Sequence, residues 1–520
     1  MQELFSMIHS LEKPQVKILR SYLTYMSVRK DKSNRYLQLL DLLLAGKKTC
    51  PSDEECARRL YGQAAGESLD KLKRRLRAKI MDVLTMDINI NRKDSMDEVD
   101  NASARVRKKL LQFQVLYRLQ GNLPYNKQLL EDVITESKKF EIYEPLVSAL
   151  GYRKYFSGFC RGLSDFKRIN KEIAFYEYAN IAVKRANDLY YQLMMWDSFS
   201  KEQNIERKQD FISKCILELK KDFQYTKSAS IGYYLKFMEM AYFDNYKEYA
   251  SAHSAGLELL NFVRSNRAIC RKQRIGVLLG NLGHYNIYLG KYHEAALDFQ
   301  NAQQYFPSGS ANIPVSREME LNAWFLANDI PKAEETAATL LKSPVQSQGD
   351  FRMAKYRYYY ANVLFRKGDH KGALKELSRR FEISRDKAGW EVGVRVLTIL
   401  CNIELQRFDE AALLAENLRK HTERWGKSEM RQRDKLIVRL LGMYAQKGFL
   451  KDGLPASFYA GLEQLAGGDK KYAWEPLTPE LIPFHEWIMG RLNLRQVVRK
   501  AAEAKRLPAK RNKRELVPVV

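Results

Sequence analysis

A chain of 520 residues is long enough for several ordinary domains or for one extended array of repeats. Its hydrophobic content of 45% and aromatic content of 11% can bury a sizeable core, which argues against a wholly disordered protein. The net charge of +26 favours an anionic partner such as nucleic acid, a membrane surface or an acidic protein, although charge spread over a large solvated helical surface gives the same total.

The sequence lacks the patterns of secreted, membrane and metal-binding proteins. Its six cysteines are scattered without a CxxC pair, which indicates reduced, mostly buried thiols and argues against a disulfide framework or a zinc site. The N-terminal residues do not form a secretory signal, and no stretch approaches the ~18 consecutive apolar residues of a membrane span. The sequence therefore predicts a soluble, cytoplasmic protein.

The first predicted domain, residues 1–95, is helical and carries a basic helix. Ser52 followed by Glu55 predicts a capped helix start, and a second helix has an apolar stripe from Leu69 to Val83. This arrangement resembles a helix-turn-helix motif, whose second helix enters the major groove. The alternative is a bundle helix with a solvated basic face, and the long turn between the helices weakens the match to the motif. The candidate nucleic-acid contacts are Lys71, Lys73, Arg74, Arg75, Arg77 and Lys79.

The chain beyond this domain is predicted to be all-α. Residues 91–104 are polar and lack periodicity, so they are interpreted as a linker, followed by a helical domain of degenerate repeats in residues 96–225. No proline occurs between Leu146 and Phe306, and the stretch is rich in Leu, Ala, Lys, Glu and Tyr, which favours helices joined by short turns. Alternating runs of Val, Ile and Thr bounded by turn residues, the pattern of strands, are missing.

Internal repeats occupy residues 226–467. The phrase GKYHEAALDF at 290–299 has relatives downstream, and aligning them on the alanine after the turn gives Ala295, Ala333, Ala373 and Ala411. These alanines are 38, 40 and 38 residues apart. Each phrase lies between two helix-length apolar segments, so each unit is predicted to be helix, turn, helix.

One unit resembles the tetratricopeptide repeat. Leu282-Gly283, Gly290-Lys291-Tyr292 and Pro307 match the small pair, the turn and the closing proline, while Leu279 and Asn286 depart from the usual Trp and Tyr. Small residues would let paired helices approach closely. The resemblance implies a right-handed α-solenoid of helix-turn-helix repeats, each longer than the typical ~34 residues. The whole layout, including the segments 3–11 and 36–41, is similar to that of bacterial proteins with such repeats.

The resemblance also implies a concave groove that binds a protein or peptide. Aromatic and cationic side chains that alternate there would suit an extended peptide or an anionic ligand, but the tyrosines of AKYRYYYANVLF could equally pack between repeats. Asn322 and Lys355 match part of the clamp that some family members close on a C-terminal carboxylate, whereas Glu318 and Tyr359 do not. The candidate groove residues are His284, Asn322, Lys355, Tyr358, Tyr359, Asn362 and Arg366.

No motif indicates catalysis. The glycines near His284 and His293 form neither GxGxxG nor GxxxxGK[ST], and the histidines lack HExxH spacing. The sequence thus predicts a non-enzymatic scaffold without cofactor or metal that binds a protein or peptide; the alternative is a nucleic-acid-associated regulator with a sensor array. Residues 468–520 are expected to form a cap or irregular extension followed by a basic tail that would also attract polyanions.

Overall fold

The computed structural model describes residues 1–11, 13–27, 34–46, 49–62, 66–86, 97–120, 124–199, 205–342, 345–378, 389–424, 430–467 and 469–494. Within these ranges the chain forms 23 helices and no strand, so the fold is all-α as predicted. The chain divides into two compact units. One contains residues 1–185, 226–230 and 267–270, and the other contains the remainder. The domain boundaries expected from the sequence, after residues 95, 225 and 467, stay a prediction.

The first unit begins with a bundle of five helices around one apolar core. The stripe predicted from Leu69 to Val83 is buried in this core. Ser52 caps its helix as predicted, because its hydroxyl accepts the backbone N–H of Glu55 at 3.1 Å. The five helices are α1 (Gln2–His9), α2 (Lys13–Ser27), α3 (Arg35–Ala45), α4 (Asp53–Tyr61) and α5 (Glu67–Met86).

The linker prediction for residues 91–104 is wrong over its second half. A helix begins at Glu98, because Val99, Ala102 and Val106 form a buried stripe and the acidic first turn suits the helix dipole. Residues 91–96 lie outside the described part of the chain. The following helices are α6 (Glu98–Gln120), α7 (Pro124–Lys139), α8 (Tyr143–Arg161) and α9 (Leu163–Phe199).

The second unit is a run of helical hairpins, in which each helix from α12 to α16 packs on the next and the same holds from α16 to α22. Five of these hairpins are formed by the helix pairs α13–α14, α15–α16, α17–α18, α19–α20 and α21–α22. The helices are α10 (Ile205–Thr226), α11 (Ala229–Asn245), α12 (Tyr249–Ser265), α13 (Lys272–Tyr288), α14 (Tyr292–Gln304), α15 (Asn312–Leu326), α16 (Ile330–Leu341), α17 (Val345–Lys367), α18 (His370–Leu377), α19 (Trp390–Glu404), α20 (Phe408–Arg424), α21 (Gln432–Gln446), α22 (Ala456–Ala466) and α23 (Phe484–Arg491).

The turns between paired helices repeat with the spacing read from the sequence. Gly290, Asn328, Gly368 and Gln406 have φ of 76°, 59°, 86° and 60°, and they are 38, 40 and 38 residues apart. After each of them a backbone N–H donates to a carbonyl five residues earlier, as in Lys291 to Asn286 at 2.8 Å. This is the geometry of a left-handed helix C-cap. The predicted helix-turn-helix units are therefore present.

Small residues let the paired helices approach closely. A Cβ at Gly283 would lie 3.0 Å from two ring carbons of Phe299 in α14 and 3.2 Å from the carbonyl oxygen of Ala295. The four aligned alanines, Ala295, Ala333, Ala373 and Ala411, have no exposed surface. Gly276 and Gly283 of α13 are thus contact positions between helices, as the repeat pattern predicts, whereas Gly280 is not.

Candidate functional site

The first helices of successive hairpins present a shared face, here called the first-helix face. On α13, Gly283 faces α14, and Leu282 faces α12, where it would lie 3.0 Å from a Cβ added to Gly256. His284 therefore lies on the side of α13 that faces neither α12 nor α14. The repeat spacing places His284, Asn322, Asn362 and Leu400 in one row on α13, α15, α17 and α19. A second row contains Tyr288, Leu326, Arg366 and Glu404.

Lys355, Tyr359 and Glu318 form an internal network on this face. The Lys355 ammonium pairs with the Glu318 carboxylate, and the Tyr359 hydroxyl donates to the same carboxylate at 3.1 Å. Lys355 also lies 4.8 Å from the ring centre of Trp390. Burial raises the pKa of Tyr359 well above its ordinary value, and the nearby Glu318 adds to the shift. Glu318 therefore neutralises the charge of Lys355, one of the predicted groove residues.

Asn322 and Asn362 in this row form hydrogen bonds with the backbone of their own helices. The Nδ2 atoms of Asn322 and Asn362 each donate, at 2.8 Å, to the carbonyl oxygen one turn earlier in their own helix. Both side chains are buried, as are those of Tyr358 and Tyr359. Four of the seven predicted groove side chains are thus internal, and for the tyrosines the packing alternative describes their position. These four support the face from beneath.

His284 and Arg366 keep exposed surface. The His284 ring lies 5.0 Å from that of Tyr288, and burial lowers the pKa of the histidine, so it is neutral near pH 7. The Arg366 guanidinium lies 5.3 Å from the ring centre of Phe325 and donates to the side-chain oxygen of Asn328 at 3.5 Å. Next to His284, a Cβ on Gly280 would have no atom within 4 Å, so this part of the face is open.

The part of the first-helix face on α17, α19 and α21 is covered by the chain itself. Residues 471–483, here called the strap, run across it in irregular conformation and lead into helix α23. The Tyr358 hydroxyl donates to the carbonyl oxygen of Pro479 at 2.5 Å, 121 residues away in sequence. Gly393 makes room for this crossing, because a Cβ there would lie 3.0 Å from the same carbonyl oxygen. The sequence predicted a cap or an irregular extension for these residues, but it did not predict where this segment packs.

Arg433 of α21 is a buried anchor of the strap. Its guanidinium binds both carboxylate oxygens of Glu480, at 2.5 and 2.8 Å, and its side chain is 2% exposed. It also donates to the carbonyl oxygens of Leu465 and Tyr472 and to Nδ1 of His485. Burial, together with Arg433, lowers the pKa of His485 to about 4, so the ring is neutral and can accept this bond.

Two further contacts hold the two ends of this region. At the strap's beginning, Lys247 in the turn after α11 pairs with Glu475 at 2.7 Å. Beyond the strap, Glu404 at the end of α19 accepts from the Trp487 indole at 2.7 Å and from Arg491 at 2.9 Å. Sequence reasoning missed Arg433, Glu480 and Glu404. A helical pattern carries no sign of pairs separated by 47 to 87 residues.

The predicted nucleic-acid contacts of α5 are largely engaged within the first unit. Lys73 pairs with Asp53 at 2.8 Å and Asp70 at 2.7 Å, while Lys71 and Arg77 pair with Glu67 and Glu3. Lys79 lies 5.4 Å from the ring centres of two tyrosines. Arg74 and Arg75 are exposed. The nucleic-acid role stays a prediction, and the basic residues from 495 onward lie outside the described residues.

The described part of the chain contains no cluster of three or more His, Cys, Asp or Glu side chains that could hold a metal ion. Among its helices, none is both long enough and apolar enough to cross a membrane.

Similar solved structures are tetratricopeptide repeat proteins. One is such a protein from Parabacteroides merdae, which is 13% identical over 58% of this chain and 98% of its own, with a TM-score of 0.31. Another is a signal transduction ATPase with numerous domains and a tetratricopeptide repeat sensor, from Pyrococcus horikoshii. It is 12% identical over 96% of this chain and 65% of its own, with a TM-score of 0.25. No protein-family model and no curated protein sequence matches the chain.

Proposed function

We propose that this chain is a non-enzymatic scaffold that binds a protein partner through an extended peptide on the first-helix face of its tetratricopeptide-like hairpins. The observation that carries the proposal is the strap, an irregular segment held on the same face by side chains of α17 and α21 and also by Lys247 in the turn after α11. The expected cytoplasmic location stays a prediction with it.

The chemistry of the strap indicates what the face accepts. It offers a backbone carbonyl at Pro479 and carboxylates at Glu475 and Glu480, and the face supplies a hydroxyl donor and two cations to them. Charge-assisted bonds to carboxylates are stronger than neutral ones, so they favour an acidic peptide. The chain's net charge of +26 attracts such a partner over a longer range.

The open part of the face, on α13 and α15, extends this surface. Gly280 leaves space above α13, and Val315 on α15 is 42% exposed. Arg366 provides a cation at the border of the covered part. We therefore place the partner peptide over Gly280, Val315, His284 and Arg366, with Asn322, Lys355, Tyr358, Tyr359 and Asn362 as supporting residues.

Affinity purification from the native cell with single variants tests this placement. Arg366→Glu reverses a charge on the face, and Gly280→Trp fills the open space. Lys375→Glu, on the exposed side of α18, is the matched control for charge. We expect the two face variants to lose partners that the wild type and Lys375→Glu retain. Equal recovery with all four chains would refute the placement, and recovery abolished by nuclease would favour the nucleic-acid alternative.

A further inference from the structure

The strap and the helix after it are held by different forces. Helix α23 and the residue after it bury Phe484, Ile488, Met489 and Leu492 in the apolar core of the hairpins. The strap buries Leu481 and Ile482 at its end, and its Tyr472 and Leu477 pack partly buried against the same core. Its polar anchors are Glu475, Glu480 and the carbonyl oxygens of Tyr472 and Pro479. Apolar burial is retained whatever the partner, whereas polar anchors can be exchanged for those of another peptide.

Packing beneath the strap is incomplete. A cavity of about 30 Å³, room for roughly one water molecule, lies between the strap and helices α17, α19 and α21. Its lining includes Tyr358, Val392, Gly393, Arg431 and Ile482. The strap is therefore not packed against these helices at every point, and the gap is large enough for a single water molecule.

Release of the strap leaves Arg433 with other partners. Its side chain is 2% exposed, and besides Glu480 its guanidinium donates to the carbonyl oxygen of Leu465 in α22 and to Nδ1 of His485 in α23, neither of which belongs to the strap. Hydrogen bonds to these groups offset part of the cost of separating the buried ion pair. A pair of this kind therefore fixes the position of the strap without making its departure prohibitive.

We propose that the strap is an internal competitor, which occupies the α17–α21 part of the first-helix face until an acidic, proline-containing peptide of a partner protein displaces it while α23 stays docked. The inference rests on the function proposed above and names the partner's chemistry. The displacing peptide has a carboxylate next to a proline whose carbonyl can accept the Tyr358 hydroxyl, as Pro479 and Glu480 do.

The test uses the full chain with Glu480→Gln, which removes the charge that Arg433 binds, and Glu463→Gln, on the exposed face of α22, as the matched control. Hydrogen exchange is followed in residues 471–483, in 484–494 and in the hairpins. The second measurement is the binding in trans of a fluorescent peptide, KYAWEPLTPELIP, and of its version with glutamine at the position of Glu480.

In Glu480→Gln we expect exchange in 471–483 to rise on the order of 100-fold, since loss of one partner of a buried ion pair is costly. Exchange in 485–494 and in the hairpins should not change, whereas the Phe484 amide donates to Glu480 at 2.7 Å and should open with the strap. The peptide should bind this variant at least about tenfold more tightly than the wild type or Glu463→Gln, and the glutamine peptide should bind less.

Three results would overturn the proposal. The first is unchanged hydrogen exchange of residues 471–483 in Glu480→Gln. The second is a rise in exchange throughout the hairpins, which would make the strap an integral part of the fold. The third is opening of the strap without tighter binding of the peptide. If a captured partner binds wild type and Glu480→Gln equally, the competitor role fails and the scaffold function stands. If the strap opens but Arg366→Glu loses no partner, the scaffold placement fails instead.

Discussion

Two glycines of α13, three residues apart, should respond oppositely to alanine. At Gly283 the new methyl group would lie 3.0 Å from Phe299, whose side chain is 3% exposed, and 3.2 Å from the backbone oxygen of Ala295. At Gly280 it would meet no atom within 4 Å. Both substitutions make the same chemical change in the same helix, so their difference isolates the contact with α14.

The expected magnitudes follow from this geometry. Alanine is favoured over glycine inside a helix by about 1 kcal/mol, so Gly280→Ala should raise the opening free energy of the hairpin by up to that amount. Gly283→Ala gains the same term but pays for overpacking, which costs about 1–3 kcal/mol in a close-packed interior. The helix-propensity term cancels in the comparison. Gly283→Ala should therefore be less stable than Gly280→Ala by about 1–3 kcal/mol.

Native-state hydrogen exchange of the amides of α13 and α14 measures this difference locally, which suits a large chain that does not unfold in one step. A difference below about 0.5 kcal/mol, or a lower stability for Gly280→Ala, would refute the close-approach reasoning, since the error of such comparisons is a few tenths of a kcal/mol.

Four further predictions concern other parts of the chain. Tyr358→Phe removes the donor to the Pro479 carbonyl and should lower local protection of the strap by about 1 kcal/mol in hydrogen exchange, whereas unchanged protection would contradict that anchor. The hydrogen bond from Lys73 lowers the pKa of Asp53, so the ionised Asp53 stabilises the fold above about pH 4, and this contribution is lost as pH falls through the lowered pKa. Lys73→Met should therefore lower the free energy of unfolding of the first unit in urea titrations at pH 7, and have less effect near pH 2. Burial raises the pKa of Cys215 to about 11 and that of Cys401 to about 12, whereas Cys160 is exposed. Iodoacetamide at pH 8 should therefore label Cys160 at least about a hundredfold faster than either buried cysteine, as measured by mass spectrometry. If α5 binds duplex DNA, Arg74→Glu with Arg75→Glu should reduce the salt slope of binding by about 2, and a wild-type chain without any salt slope would exclude that role.

The hairpins could be predicted from the sequence because their determinants are local and repeated. A turn residue such as Gly290 and an alanine five residues later recur at a fixed spacing, and a small residue stands at the position of Gly283 again at Ala361. Each acts on neighbours within its own unit. The same logic recovers turns without glycine, since Asn328 and Gln406 adopt the left-handed conformation at equivalent places.

The covered face could not be predicted, because its determinants are neither local nor repeated. Tyr358 and Pro479 are 121 residues apart, and Lys247 and Glu475 are 228 residues apart. The groove residues were predicted because their side chains can bind a peptide. The sequence does not show that Glu318 pairs with Lys355 or that the Asn322 side chain donates to the backbone of its own helix. The helix start at Glu98 was missed for a different reason, since its short apolar stripe is surrounded by charged residues.

The contact between Lys247 and Glu475 changes how the array should respond to force. In a repeat protein whose units touch only their neighbours, pulling on one end unzips the units one by one. Here the chain returns from its last hairpin to the turn after α11, so tension applied between residues 247 and 475 is first borne by this tie and by the Arg433–Glu480 pair. Because both side chains are about half exposed, the Lys247–Glu475 pair contributes about 1 kcal/mol or less, so it should break in a first small step before the hairpins open.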